Sequence, residues 1–209
     1  HYVLDLWFEK CIKKQLYGEA YLVRFADDFL IMFQYERDAQ RVYEAIIKRM
    51  ELFGLELSKE KTRILPFGRY SVSRETFDFL GFTHFNSKTR KGYYTVGHKI
   101  SRKKKKQFKS NLKKWVKKNR DKQFDEFMKK LNKKLTGSFN YYSLSGMIKE
   151  VRNLWNHAQY VTFKWLNRRS QRRSFKLERF YEIWNDLIVH PYIHVDIWSG
   201  DKVIYNKNV

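Results

Sequence analysis

The tetrapeptide Phe25-Ala26-Asp27-Asp28 lies between two short apolar runs, and this arrangement constrains the fold more than any other part of the sequence. Residues 21–24 and 29–33 are rich in aromatic and β-branched side chains, so they are predicted to be paired strands with the acidic pair at the turn. Two adjacent carboxylates at a buried hairpin tip repel each other and lose hydration, and a cation would stabilise them. Hard oxygen ligands suit Mg²⁺, so Asp27 and Asp28 are candidate metal ligands. The alternative is an Asp-Asp turn that binds nothing.

The segment after the hairpin is predicted to be helical over residues 36–53. Its apolar side chains form one helical stripe, and its charged side chains fall on the opposite face. Gly54 follows as the residue that ends the helix. A short strand is predicted at residues 55–57, ahead of Ser58-Lys59-Glu60-Lys61-Thr62, and a further strand pair begins at Phe77.

We expect a boundary close to residue 98. Residues 83–96 are predicted to form a hairpin around a polar turn, and helical periodicity takes over after residue 101. Four amphipathic helices are predicted, the second closed by Gly137 and the fourth ending before Pro191. Their aromatic side chains are interpreted as core, with base-stacking platforms as the alternative. The predicted helices contain Phe108 to Trp115, Phe124 to Leu135, Met147 to Trp165, and Leu177 to Leu187.

Charge is distributed unevenly along the chain, whose net charge is +22. Residues 1–98 carry 16 basic and 13 acidic side chains, whereas residues 99–209 carry 28 basic and 9 acidic side chains. This imbalance predicts a polyanionic partner that is bound mainly by the second half. Nucleic acid is favoured over a membrane surface because the sequence has no long apolar run and no lipidation signal. A basic surface without a partner is the alternative.

Two basic clusters are candidates for RNA contact. Lysines on the polar face of the first of these helices would grip phosphates without reading sequence. Arginines in the polar linker before the last helix suit bidentate phosphate contact and stacking on bases, with helix C-capping as the alternative. The candidates are Lys103, Lys104, Lys105 and Lys106 in the first cluster, and Arg168, Arg169, Arg172 and Arg173 in the second.

The order of these motifs resembles a known family. The acidic hairpin, the amphipathic helix, residues 54–62 and Phe79-Leu80-Gly81-Phe82 together resemble the second half of a reverse transcriptase palm. Residues 137–142 and 165–172 are similar to a thumb and maturase region. The chain is therefore identified as a member of the group II intron-encoded reverse transcriptase/maturases, with Phe25 in place of the family's usual tyrosine.

The resemblance implies an α+β fold. Residues 1–98 would form the C-terminal part of a palm, with an antiparallel sheet and helices. Residues 99–209 would form a basic, all-α thumb and maturase (domain X) bundle. The implied function is RNA-directed DNA synthesis together with splicing of the host intron.

The resemblance also implies roles for individual residues. Asp27 and Asp28 would be catalytic ligands in a two-metal Mg²⁺ site, and Lys61 could protonate the leaving pyrophosphate. Contact with primer and template would fall to Phe25, Phe79, Leu80 and Gly81. The implied partners are group II intron RNA, an RNA template, a DNA primer and deoxynucleotides, with no membrane partner and with a homodimer left open. The implied compartment is the bacterial cytoplasm or an organelle rather than the secretory route.

One departure from the family pattern concerns a third aspartate. Polymerases of this family need that residue on an earlier palm strand, together with a fingers domain. Asp5, the only aspartate ahead of the hairpin, lies in a segment that is predicted to be helical and is a poor substitute. The chain is therefore expected to be the C-terminal part of a longer polymerase and to be inactive alone. The alternative is a non-catalytic maturase remnant that binds intron RNA.

Overall fold

The computed structural model describes residues 2–58, 60–169 and 174–193. In this part of the chain, helices are combined with two small antiparallel sheets, which confirms the predicted α+β fold class. The described residues form two compact units. The first contains the residues up to Leu80 together with His84–Gly97, and the second contains Gly81–Thr83 together with the residues from His98 onward.

The first unit begins with helical turns and a β-ribbon. Two π-type turns, Tyr2–Leu6 and Phe8–Ile12, are followed by a short 3₁₀ turn, Lys13–Gln15. Strands β1, Ala20–Phe25, and β2, Asp28–Phe33, pair antiparallel, and no other described strand joins them. Tyr21, Val23 and Phe25 alternate along β1 and are exposed, whereas Leu22 contacts the core.

Helix α1, Glu36–Leu52, supports the ribbon. Its apolar stripe forms the core of this unit, as the periodicity predicts, together with side chains of the two π-type turns and β1. The helix ends in a Schellman motif, in which the amide of Leu55 donates to the carbonyl of Met50 (2.9 Å) and Gly54 has a φ of +66°. The buried core contains Leu4, Phe8, Ala20, Val42, Ile46 and Met50.

A buried carboxylate fixes the start of the ribbon to α1. Asp38 is 1% exposed, and its Oδ2 accepts hydrogen bonds from the amides of Tyr17 (3.0 Å) and Gly18 (3.1 Å). These two amides lie three and two residues before the start of β1 at Ala20. The contact therefore ties the entry of the ribbon to the first turn of α1.

A second sheet has the order β3-β4-β5. Its strands are β3, Thr76–Phe79, β4, Phe82–Lys88, and β5, Tyr94–Ile100. The predicted hairpin of residues 83–96 is present as β4 and β5, which are joined by residues 89–93. The short strand predicted at residues 55–57 is wrong: these residues have no regular structure, because the backbone enters the Schellman motif and then a turn at Ser58.

The second unit contains a helical bundle. Its helices are α2, Arg102–Asn119, α3, Phe124–Tyr142, α4, Ile148–Leu166, and α5, Leu177–Leu187. Helix α4 packs against α2, α3 and α5, and α3 also packs against α5. Trp155 and Trp184 meet edge to face at 5.7 Å in this core, as the interpretation of the aromatic stripes predicts.

One predicted helix end in the bundle is wrong. Gly137 does not close its helix, because α3 continues to Tyr142 and nothing lies within 4 Å of a Cβ added at Gly137. An isolated glycine is tolerated inside a helix, and the apolar stripe continues past it to the buried Phe139. In the described part of the chain, no helix combines the length and the apolar character that a bilayer crossing requires.

Candidate active site and nucleic-acid interface

The acidic hairpin closes with a two-residue turn. Phe25 pairs with Asp28 in the register of β1 and β2, which leaves Ala26 and Asp27 as the central residues. Ala26 has a φ of +52°, whereas Asp27 does not have a positive φ, and this is the sign pattern of a type II′ turn. Asp27 therefore lies in the turn, and Asp28 is the first residue of β2. A turn of this kind is what allows two successive carboxylates to escape the alternation of a regular strand.

The tip of the hairpin is exposed rather than buried. Ala26, Asp27 and Asp28 are all exposed, and the Phe25 ring is 65% exposed. The predicted burial of the acidic pair is therefore wrong, because the ribbon packs against α1 through Leu22, Phe29 and the residues beyond, and not through its turn. The two carboxylates keep their hydration, and no described residue forms an ion pair with either of them.

The donor set at the tip fits Mg²⁺. Two exposed carboxylates that form no ion pair with a described residue offer the hard oxygen ligands that this ion prefers. The described residues do not bring three or more Asp, Glu, His or Cys side chains together in a metal-binding group. The hairpin therefore supplies a pair of ligands, Asp27 and Asp28, without a third carboxylate from the described part of the chain.

Asp5 is engaged elsewhere. Its Oδ1 accepts a hydrogen bond from Arg24 Nε (2.7 Å), and its Oδ2 accepts one from Arg24 Nη2 (2.6 Å). The hydrogen bond from Arg24 is the main cause that lowers the pKa of Asp5. Desolvation opposes this shift, and the charge of the guanidinium adds to it. The same pair raises the pKa of Arg24, with a smaller contribution from the charge of Asp27. The remaining nitrogen, Nη1, donates to the carbonyl of Ala26 (3.0 Å).

Lys61 lies in a turn rather than at the end of a strand. The amides of Lys61 (3.0 Å) and Thr62 (2.9 Å) donate to the carbonyl of Ser58, and the Thr62 hydroxyl donates to the same oxygen (2.9 Å). Among the described residues, no hydrogen bond or ion pair joins Lys61 to Asp27 or Asp28.

The motif Phe79-Leu80-Gly81-Phe82 forms a second two-residue hairpin turn. Strand β3 ends at Phe79 and β4 begins at Phe82. Leu80 (φ +50°) and Gly81 (φ +84°) both have positive φ, as type I′ turns require. The carbonyl of Gly81 accepts a hydrogen bond from the amide of Ser101 (3.0 Å). The central residues of this motif therefore lie at a turn and not within a strand.

Aromatic side chains at the end of α3 contact the start of β4. The Phe82 ring stacks on Tyr141 (5.7 Å between centroids) and meets Tyr142 edge to face (5.6 Å). Burial, with a smaller contribution from Tyr141, raises the pKa of the Tyr142 hydroxyl. The pair Tyr141-Tyr142, which the sequence assigns to the thumb-like region, thus has a packing role.

The lysine cluster at the start of α2 divides into two groups. Lys103, Lys104 and Lys106 are exposed, whereas Lys105 is half-buried and forms an ion pair with Glu150 on α4 (2.8 Å). The Ser101 hydroxyl caps the helix by accepting a hydrogen bond from the amide of Lys104 (3.4 Å). Three of the four predicted lysines are therefore accessible to a polyanion, and one links two helices.

A cationic cluster surrounds Trp165 at the end of α4. Lys117 Nζ lies 4.6 Å from the centre of the indole ring, and the guanidinium carbons of Arg168 and Arg120 lie 5.5 and 5.7 Å from it. Arg120 Nη1 also donates to the carbonyl of Arg168 (3.1 Å). Three cations converge on one half-buried aromatic ring, which is an arrangement suited to phosphate and base contact.

The remaining predicted arginines differ in position. Arg169 Nε donates to the carbonyl of Leu166 (3.3 Å), which is the C-capping contact that the sequence left as an alternative. Arg172 and Arg173 lie outside the described residues. Asn167 connects the end of α4 to Phe175. Its side chain donates a hydrogen bond to the carbonyl of Phe175 (3.1 Å) and accepts one from the amide of the same residue (2.8 Å).

Several residues of these sites were not predicted from the sequence. Arg24 is a lone basic residue in an apolar strand, and that signal could have marked it as a residue with a specific partner. The sequence places Trp165 in an apolar stripe and does not mark Lys117 or Arg120 as its partners, because only the packing of α2 beside α4 brings the three together. No local pattern in the sequence identifies this cluster.

Two family models match the chain. A model described as reverse transcriptase (RNA-dependent DNA polymerase) matches residues 2–84, which include the acidic hairpin. A model described as group II intron, maturase-specific domain, matches residues 105–182, which include the cluster around Trp165. A search of curated proteins finds no sequence that matches.

Proposed function

Because this chain belongs to the group II intron-encoded reverse transcriptase/maturase family, we propose that its acidic hairpin holds catalytic Mg²⁺ and that its helical half grips intron RNA. In this division, residues 1–98 are the end of the palm, and residues 99–209 are the thumb and maturase region. The family copies RNA into DNA and assists the splicing of its host intron, so nucleic acid is the partner class of both parts.

The observation that carries the catalytic proposal is the type II′ turn. It places one carboxylate in the turn and the next at the start of β2, with no ion pair to a described residue. Hydrated carboxylates on neighbouring residues are the kind of ligand that phosphoryl-transfer sites use for magnesium.

The reaction we assign to this site is nucleotidyl transfer. The primer 3′-hydroxyl gives its proton to water and its oxygen bonds to the α-phosphorus of a deoxynucleotide. The bond from that phosphorus to the bridging oxygen breaks, and pyrophosphate leaves. Bound magnesium would favour the deprotonated primer hydroxyl and neutralise charge on the phosphates. Asp27 and Asp28 would hold the ions, and Lys61 would donate a proton to the leaving pyrophosphate. The exposed Phe25 ring and the turn at Phe79, Leu80 and Gly81 contact the primer and template.

We assign the missing third carboxylate to a segment outside the described residues. The described part of the chain contributes two carboxylates at the tip, and Asp5 is held by Arg24. The chain alone is therefore expected to bind nucleic acid without extending a primer.

Primer extension on an RNA template with Mg²⁺ tests the catalytic proposal. The 209-residue chain is compared with a fusion in which the fingers and first palm segment of a group II intron reverse transcriptase precede residue 1. We expect synthesis only by the fusion, and its loss by at least about 10³-fold in Asp27→Asn, because removing a metal ligand weakens charge stabilisation in the transition state. Full activity of the Asp27→Asn fusion would contradict the assignment.

The RNA-binding proposal rests on the accessible cations of the second unit. The exposed lysines at the start of α2 and the cluster around Trp165 offer positive charge and an aromatic face. Each phosphate contact that is lost should reduce the slope of log affinity against log salt by about 0.7 on single-stranded and about 0.9 on double-stranded segments.

Filter binding to the structured intron RNA over a salt series tests this second proposal. The triple variant Lys103→Ala, Lys104→Ala and Lys106→Ala should reduce the slope by about 2 to 3, and Arg168→Ala by about 0.7 to 0.9. Lys130→Ala is the matched control, because it removes a lysine that is already paired with Glu126 on α3. Equal slopes for the triple variant and the control would assign these lysines to the solvated surface.

A further inference from the structure

The guanidinium of Arg24 is held at three points beside the catalytic turn. Nε and Nη2 form a two-pronged contact with Asp5 (2.7 and 2.6 Å), and Nη1 donates to the carbonyl of Ala26 (3.0 Å). The side chains of Arg24 and Asp5 are 33% and 22% exposed. A planar guanidinium that is gripped along one edge has a fixed direction for its remaining nitrogen. Asp5 therefore determines where Nη1 points.

The carbonyl that Nη1 contacts belongs to the central peptide of the turn. In a two-residue hairpin, types I′ and II′ share a positive φ at the first central residue and differ in the orientation of the peptide that follows it. That peptide joins Ala26 to Asp27. A hydrogen bond to the Ala26 carbonyl consequently selects one orientation, and it sets the direction in which the Cα–Cβ bond of Asp27 leaves the turn.

The turn needs such a contact because its sequence does not favour its geometry. Type I′ and II′ turns prefer glycine or asparagine at positions of positive φ, and Ala26 (φ +52°) is neither. A strained residue of this kind persists when its surroundings over-determine it. The contact from Arg24 is a side-chain contact on the turn itself, and its other end is anchored on the helical turn Tyr2–Leu6.

We propose that Asp5 and Arg24 act together as positioning residues for the metal-binding hairpin. Asp5 orients Arg24, and Arg24 holds the Ala26–Asp27 peptide so that the two carboxylates keep the orientation that binds divalent metal. Neither residue is a metal ligand or touches the reacting atoms. The inference rests on the proposed function of Asp27 and Asp28.

The test uses Mn²⁺ as the probe on the whole 209-residue chain, followed by NMR. Mn²⁺ broadens amide signals close to its binding site, and the three-bond HN–Hα coupling of Asp27 reports the orientation of the turn peptide. We expect Arg24→Gln to change that coupling and to weaken Mn²⁺ broadening at Asp27 and Asp28 by about tenfold in apparent Kd, which is the usual scale for residues that orient metal ligands. Arg24→Lys keeps the charge but not the fork, so it should behave like Arg24→Gln.

Two further variants separate positioning from general stability. Asp5→Asn should reproduce part of the effect, and the double variant with Arg24→Gln should be no worse than Arg24→Gln alone, because the two residues act through one contact. Arg63→Gln is the matched control: it also removes an arginine that donates to a backbone carbonyl of this unit, that of Thr76 (2.7 Å), and it should leave the tip unchanged.

The outcomes are distinct. Three results would each overturn the positioning role without contradicting the metal site. They are unchanged broadening at the tip in Arg24→Gln, full rescue by Arg24→Lys, and additive effects of the Asp5 and Arg24 substitutions. A wild-type chain without Mn²⁺ broadening at Asp27 and Asp28 would overturn the proposed function and, with it, this inference.

Discussion

At the residue scale, the smallest side chain of the acidic turn has the strongest backbone requirement. Ala26 holds a φ of +52°, a region in which a Cβ approaches the following carbonyl oxygen and a branched Cβ is crowded further. The hairpin can close in two residues only if this position accepts the left-handed region. Substitutions of Ala26 should therefore change the free energy of unfolding even when Asp27 and Asp28 are both kept.

We expect Ala26→Val to lower the free energy of unfolding by about 1–2 kcal/mol and Ala26→Gly to leave it unchanged or raise it by a few tenths. Urea unfolding followed by circular dichroism would measure both, with the exposed Val23 changed to Ala as a control on the same strand. An unchanged midpoint for Ala26→Val would mean that the turn does not hold the left-handed angle in solution.

How much of the site could be predicted from the sequence depends on the distance between partners along the chain. Asp27 and Asp28 were identified as a pair because both lie in one tetrapeptide between two strand patterns. Asp5, the partner of Arg24, lies 19 residues away along the chain, and Glu150, the partner of Lys105, lies 45 residues away. No local sequence pattern predicts either contact. Contact with RNA remains a prediction for all four arginines, Arg168, Arg169, Arg172 and Arg173.

At the element scale, periodicity predicted the helices well and their ends less well. Helix α5 spans the predicted residues, Leu177–Leu187, because its apolar stripe and the following proline define it locally. The strand expected at residues 55–57 fails because two alternating leucines are too few to outweigh the helix cap that precedes them. Gly137 was assigned to a helix end on its residue type alone, although the apolar stripe continues beyond it.

Alanine substitutions at Gly137, inside helix α3, and at Gly81, in the turn between β3 and β4, should change the free energy of unfolding in opposite directions. Gly137→Ala should raise the free energy of unfolding by about 1 kcal/mol, because alanine favours a helix interior and the site has room for its Cβ. Gly81→Ala should lower it by about 1 kcal/mol, because the φ of +84° is strained for alanine and its Cβ would lie 3.4 Å from Cγ of Lys104. Urea midpoints give both signs in one experiment, and equal signs would contradict the assigned backbone geometry.

The α4 helix should also confer a dependence of stability on pH. Burial, with the charge of Lys109 adding to it, lowers the pKa of His157 below its usual 6.5. Below about pH 6.5 the unfolded chain therefore binds a proton that the folded chain does not, and stability falls until the pH reaches the lowered folded-state pKa. Above pH 6.5 this contribution is fully present.

Urea midpoints at pH 7.5 and pH 5 would measure this effect in the wild type and in His157→Gln. The loss of stability between the two pH values should be smaller in the variant, and Lys109→Gln should reduce it partly, since it removes the second cause of the shift. The same loss in wild type and His157→Gln would mean that other groups carry the pH dependence.

At the scale of the whole molecule, charge separates the two halves more sharply than secondary structure does. The first 98 residues are nearly balanced, whereas the remaining 111 carry most of the net charge of +22. Like charges at this density repel in the folded state, and both salt screening and a bound polyanion relieve the repulsion.

Thermal unfolding followed by tryptophan fluorescence should therefore shift upward with sodium chloride, because Trp115, Trp155 and Trp184 report on the helical unit. Each kcal/mol of relieved repulsion would raise the midpoint by about 4–8 °C for a unit of this size. A short RNA should raise the midpoint further at low salt. A midpoint that falls with added salt would mean that attractive ion pairs, such as Lys105–Glu150, outweigh the repulsion.

The β1–β2 ribbon carries a consequence for the behaviour of the protein at high concentration. Within the described residues, each of its strands pairs with the other alone, and Tyr21, Val23 and Phe25 present an exposed apolar face beside those open edges. Unpaired amides and carbonyls along an apolar strand are a template for intermolecular β-pairing. Aggregation of purified chain should therefore begin at this ribbon, and polar substitution of Tyr21 or Val23 should delay it more than any change in the basic helical half.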